Sequence, residues 1–162
     1  MLRKIYTVAE ANSLLPVLEV VFRSIELHKA KIREHGRKLE VLNLLWNDEV
    51  DAPSNPDYDA YQGHKRSIEN DVSEIEQLIQ EEIVRRGIRF PSGGIENGLV
   101  DFPTTYGGRW VYLCWQNGEQ ELLYWHEVNA GFRGRQKLTE EHKNVMGKMD
   151  DPGLLDDSSL DY

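Results

Sequence analysis

One cysteine in 162 residues sets the expectation of neither a disulfide framework within the chain nor any Cys-based zinc site. No stretch approaches 18 consecutive apolar residues, so no helix is expected to span a membrane. The opening MLRKIYTVAEANSLL lacks the apolar run and small-residue cleavage site of a secretory leader, which sets the expectation of a cytoplasmic protein. An excess of positive charge is missing too: 19 Lys and Arg stand against 28 Asp and Glu, a net −9. Five of those negative charges, Asp150, Asp151, Asp156, Asp157 and Asp161, fall in a closing stretch without Lys or Arg. The remaining −4 offers no basic surface for phosphates, so nucleic acid is not an expected partner. Nor is there a phosphate-binding glycine loop, a dinucleotide fingerprint, HExxH or GxSxG.

A chain of this length can bury a core in one domain. The composition predicts a single α+β domain over residues 1–138, with helices over about 8–86 and a β-rich part over about 88–136. Residues 139–162 read as an acidic, disordered tail.

Thr7 and Glu10 have capping-box spacing, so a helix should begin near Val8. Pro16 has no amide proton and clashes with the preceding turn, which predicts a break near residues 13–15 and a new, longer helix from there. That helix carries a seam at Leu14, Leu18, Val21, Ile25, His28, Ile32, His35, Leu39, Leu42 and Trp46, alternating steps of four and three as in a coiled coil. Residues 47–57, with Pro53 and Pro56, form a turn. A second helix runs from about Tyr58 to Arg86 with a stripe of Tyr61, Ile68, Val72, Ile75, Ile79 and Ile83, closed by Gly87. Two long helices on a short connection make an antiparallel hairpin. It should bring His28 and His35 level with Glu76 and Glu69.

Beyond Gly87 the periodicity changes. A short strand is expected at Ile88–Phe90, then strands near residues 99–103, 110–115 and 121–127. Gly107-Gly108 and Asn117-Gly118 between them suit two-residue turns with positive φ. Counting back from these turns sets Asp101 opposite Cys114, Cys114 opposite Glu121, Arg109 opposite His126 and Trp110 opposite Trp125. One face then carries Val100, Phe102, Val111, Leu113, Trp115, Leu122 and Tyr124, with Arg109 and His126 at its end. It is the face that should pack on helices.

The chemistry concentrates here. Three of the four tryptophans and the cysteine lie within residues 98–136. His126 is the candidate acid–base residue, with Asp101 or Glu119 as its partner; the plainer alternative is a strand-end histidine bonded to a neighbour. Arg109 and Arg135 could hold an anion in their forked donors, with Gly131 letting backbone approach, or could simply pair with carboxylates. Trp115 and Trp125 could wall a ligand or fill the core. Cys114, mid-strand and opposite a carboxylate, reads as an inert core residue.

GLVDFP, GR, LCW, GE, YWH and GFRGRQ, following TVAEANSLLPVLE at the start, resemble a bacterial family of uncharacterised proteins, domain of unknown function 2203, over about residues 5–138. The resemblance implies a small cytoplasmic protein with a helical hairpin and a β-rich end, and no assigned activity. It places Asp101, Arg109, Cys114, Trp115, Glu119, Trp125, His126, Gly131 and Arg135 on motif positions.

Three functional expectations follow. The first is an interaction or regulatory module, a homodimer or the partner of another helical protein, with a small-anion site at its β end. The second is an enzyme using His126 with Asp101 or Glu119. The third is metal binding through His126 and nearby carboxylates.

Overall fold

The computed structural model describes residues 3–160. The architecture is α+β: helix α1 (Val8–Trp46), helix α2 (Tyr58–Glu82), a single-turn α3 (Gly94–Asn97), a sheet of β1 (Leu99–Tyr106), β2 (Arg109–Gln116), β3 (Tyr124–Glu127) and β4 (Gln136–Lys137), and a short α4 (Glu140–Val145). The sheet is antiparallel in the order β1-β2-β3-β4. No helix among the described residues is long and apolar enough to cross a membrane. Where the sequence predicts one domain, the chain divides into two compact units. One runs to Phe22 and resumes at Glu81; the other is Arg23–Gln80.

In the first unit, α1 begins where Thr7 Oγ1 accepts from the Glu10 amide at 3.1 Å. The predicted break at Pro16 does not occur: the helix continues through it. Val8, Ala11, Leu15, Leu18 and Phe22, on both sides of the proline, are buried in one core with the sheet. Burying a side chain of this kind contributes roughly 1.5–3 kcal/mol, so a continuous apolar face offsets the hydrogen bond Pro16 cannot make. The sheet's contribution is Val100, Phe102, Val111, Leu113, Trp115, Leu122 and Trp125. The face expected to meet the helices does so, with three changes: Tyr124 and His126 are absent from it and Trp125 is present.

The changes trace to the second hairpin. β1 and β2 pair as counted, Tyr106 with Arg109 and Asp101 with Cys114. Both Gly107 and Gly108 take positive φ, 61° and 75°. Asn117-Gly118 does turn the chain, with the Glu119 amide donating to the Gln116 carbonyl at 3.0 Å, but the strands do not pair directly beyond it. Residues 117–123 form a longer loop, and β2 pairs with β3 as Tyr112–His126, Leu113–Trp125 and Cys114–Tyr124. Trp115 Nε1 donates to the Glu119 carbonyl at 2.9 Å, and the Leu122 amide donates to Asn12 Oδ1 on α1 at 2.8 Å. These contacts hold the loop out and bury Leu122. The register moves by three residues, an odd number, so β3 turns its faces over. The expected pairs Arg109–His126, Trp110–Trp125 and Cys114–Glu121 are therefore replaced.

The outer edge of β1 is covered by three separate segments. Arg89 bridges Asp101 through two backbone bonds of 2.9 and 3.0 Å, all that forms of the strand expected at Ile88–Phe90. The Tyr6 amide donates to the Pro103 carbonyl at 2.9 Å, and the Gly147 amide to the Thr105 carbonyl at 3.1 Å. Pro103 fits an edge strand because no inward bond needs its amide. Gly147 has φ 76°, and a Cβ there would lie 2.5 Å from the Tyr6 carbonyl oxygen.

The acidic end differs from a disordered tail. Thr139 and His142 form a capping box at α4. Met146 is buried in the main core, and Leu160 packs with Trp110 and Tyr112 on the sheet's other face. Asp157 accepts from Trp110 Nε1 at 2.6 Å, and Asp150 from the Gly108 amide at 3.0 Å. Individual carboxylates find specific donors, which composition does not reveal.

The second unit holds the rest of α1, the turn at residues 47–57 and most of α2. His28 meets Asp71 at 2.7 Å and His35 meets His64 at 2.8 Å, rather than Glu76 and Glu69. Asp71 is buried and Val72 exposed, so the stripe of α2 turns by about one residue from the expected one at that level.

Candidate functional site

Three neighbouring strands each place one residue at a common point on the sheet face away from the main core: Asp101 from β1, Cys114 from β2 and His126 from β3. Asp101 and Cys114 are direct cross-strand partners. His126 pairs with Tyr112, two residues from Cys114 and on the same face. One donor atom from each residue lies within 4.8 Å of the others. The three are 0, 0 and 1 % exposed.

His126 Nδ1 lies 2.7 Å from the Glu127 carbonyl oxygen, which only accepts, so Nδ1 donates. Nε2 faces Asp101 Oδ1 at 3.1 Å. The other Asp101 oxygen accepts from Arg89 Nε and Nη2 at 3.3 and 3.1 Å. A carboxylate held by a guanidinium is an acceptor, so Nε2 donates as well and the ring is an imidazolium. Burial pulls the ring's pKa down, but the hydrogen bond and charge of Asp101 and the Glu127 carbonyl lift it above the ordinary value.

The Cys114 thiol is pushed up to about 12, first by burial and then by the charge of Asp101, against a smaller opposing pull from Arg135. Such a thiol is no nucleophile. In the apo protein a thiol reagent should label Cys114 far more slowly in the native state than after unfolding in urea. A native rate equal to the unfolded one would mean the face opens freely.

The network extends through two stacked arginines. Arg89 lies over the Tyr112 ring at 3.9 Å. Arg135 lies between Tyr124 and Phe132, at 4.1 and 4.3 Å, and bonds Glu119 at 2.8 Å. Cationic groups and carboxylates thus alternate along the face, from Arg89 to Asp101 to His126 on one side of Cys114, and from Arg135 to Glu119 on the other. The second Glu119 oxygen, Oε2, is buried with no hydrogen-bond partner among the described residues.

Residues 4–138 match a family described as an uncharacterized conserved protein, DUF2203. The chain belongs to this family. No curated protein and no solved structure matches it. Every residue of the network, from Arg89 to Arg135, lies within the DUF2203 segment. The tail that covers Trp110 and Tyr112 lies beyond it.

The candidate residues divide sharply. Asp101 and His126 come together, and Glu119 joins through Arg135 rather than by touching His126. Arg109 sits elsewhere, at the start of β2, where its guanidinium forks onto Glu127, with one contact at 2.9 Å, and bonds the Tyr106 carbonyl at 3.0 Å. Arg109 and Arg135 therefore do not share an anion between them; each has its own carboxylate. Trp115 and Trp125 lie on the opposite face, in the main core, and cannot wall this site. Gly131, at φ 62°, opens the turn that brings Phe132 under Arg135. Sequence reasoning missed Arg89, Tyr112 and Tyr124. It set Cys114 aside, although the first hairpin's register already placed that thiol against Asp101.

Proposed function

We propose that this DUF2203 chain is an interaction module whose helical hairpin docks on a second copy of itself. The observation that carries this reading is how little the unit Arg23–Gln80 encloses. Only Ile25 and Val50 are buried apolar residues there, whereas Leu27, Val41, Leu44 and Leu45 are 62, 55, 75 and 65 % exposed. Two helices have a seam but no interior, and bundles gain one by adding helices. Beside the His35–His64 pair, an apolar cleft lined by Val41, Leu42 and Ala60 opens between α1 and α2, edged by Arg37 and Lys38.

Charge favours a second copy as the occupant. The α1 stretch of residues 23–46 carries six basic and three acidic side chains, and the α2 stretch of residues 58–80 carries two and five. A twofold axis laying α1 of one copy along α2 of the other brings net +3 against net −3 at both contacts. Isologous interfaces have this self-complementarity. The coiled-coil spacing of the seam suits such a four-helix arrangement, and a cytoplasmic setting suits a protein whose one thiol is reduced and buried.

The acid–base alternative has less support. Both nitrogens of His126 already donate, leaving no lone pair to take a substrate proton. The anion reading must displace Glu119 from Arg135 or Glu127 from Arg109.

Light scattering on the purified chain should give twice the 18.8 kDa subunit mass. The double variant Leu44→Glu, Leu45→Glu should run as a monomer with unchanged helix content, since both side chains are exposed. A wild-type chain that stays monomeric up to its solubility limit would sink the proposal.

A further inference from the structure

We infer that Asp101, Cys114 and His126 form a binding centre for a single divalent metal ion of the zinc class. The donor set is one carboxylate oxygen, one thiolate sulfur and one imidazole nitrogen, whose donor atoms already lie within 4.8 Å of one another. Tetrahedral zinc bonds these donors at about 2.0–2.3 Å, which sets them about 3.3–3.8 Å apart, so small side-chain shifts bring all three to one ion. A soft thiolate beside an imidazole selects zinc-like ions over magnesium or calcium, which take oxygen.

The surroundings match those of a metal ligand shell. His126 commits Nδ1–H to the Glu127 carbonyl, fixing the ring so that Nε2 is the atom presented to Asp101 and Cys114. Metal-bound histidines are commonly held in this way. Arg89 occupies one Asp101 oxygen and leaves Oδ1 facing Nε2. The charge of Arg135 acts on the Cys114 thiol in the direction of its thiolate, against the larger opposing effects of burial and Asp101. Two of the three donors, His126 and Asp101, are thus oriented by a group behind them, and all three come from adjacent strands of one sheet.

Two arginines near a metal ion would normally repel it. Charge balance removes that objection. Without metal, the cluster is an imidazolium, a carboxylate and a neutral thiol, with net charge zero. Binding releases one proton from His126 Nε2 and one from the Cys114 thiol, and forms bonds from the ion to nitrogen, sulfur and the Asp101 oxygen. The +2 ion with a thiolate, a carboxylate and a neutral imidazole again sums to zero. Arg89 and Arg135 therefore see the same net charge before and after, and the ion stands in for two protons. Three protein donors leave one tetrahedral position for a water or a small anion.

The experiment refolds the full chain from urea with reductant, with and without zinc or cobalt(II), because a site this buried loads slowly once folded. Native mass spectrometry should show one ion per chain. The cobalt form should show thiolate-to-metal charge-transfer absorption, which only Cys114 can supply, so binding at His28, His35 or His64 cannot imitate it. Cys114→Ala should lose that absorption and bind zinc at least tenfold more weakly, with its near-ultraviolet dichroism retained. Should that variant fail to fold, the wild-type cobalt spectrum decides alone. A wild-type chain that refolds without taking up metal, or a cobalt complex lacking the thiolate absorption, would overturn the assignment.

Discussion

Asp101→Ala, measured in the presence of a chelator, will cost about 3–5 kcal/mol of folding stability, near the lower end of that range. The substitution strips the acceptor from two donors at once, the Arg89 guanidinium and His126 Nε2. His126 is 1 % exposed and cannot find water in its place. The Arg89 side chain is 21 % exposed, so part of its loss is recovered by solvent, which sets the lower end. Asp101→Asn keeps one acceptor oxygen and should recover part of the difference. Urea unfolding followed by tryptophan fluorescence gives both values. A change below about 1 kcal/mol for the alanine variant would mean that the network rides on the sheet instead of holding it.

Trp115→Ala should be as damaging, at about 3–5 kcal/mol, for a different reason. The side chain is fully buried and lies beside Phe22 of α1, with ring centroids 6.2 Å apart. Its removal leaves a large cavity on the helix-facing side of the sheet. It also removes the indole donor that fixes the Glu119 carbonyl at the start of the 117–123 loop. Trp115→Phe refills most of the volume without that donor. If loop anchoring matters, the phenylalanine variant will show faster amide exchange at residues 119–123 while keeping most of its stability. Unchanged exchange there would assign the whole effect to packing.

Local rules carried far along this chain. The helix start at Val8, the turn after Trp46, the left-handed Gly87 and the first β-hairpin all follow from neighbours a few residues apart. What local rules did not contain was the destination of Leu122, whose amide is bound by Asn12, 110 residues away in sequence. That contact holds residues 119–123 out of the ladder beyond the Asn117-Gly118 turn and moves the register by an odd number. Counting correctly placed Asp101 against Cys114. The same counting put His126 on the wrong face, so the triad could not be seen. Arg89 was hidden differently: its strand consists of one bridged residue, too short for alternation to show. The acidic end was misread because charge composition records how many carboxylates there are, not that Asp157 meets an indole and Asp150 a turn amide.

The covered edge of β1 has a consequence for synthesis. Bonds to Asp101, Pro103 and Thr105 come from Arg89, Tyr6 and Gly147 in turn. The first two partners have been made before β1 is complete, but the third is made 42 residues after Thr105. While the chain is still being extended toward Gly147, the Thr105 end of β1 offers an open carbonyl to any other strand, and the core lacks Met146. Neighbouring nascent chains on one message carry the same open edge at the same stage. The closing residues therefore end a period in which this sheet is open to pairing between chains, and loss of everything after Leu138 would make that period permanent.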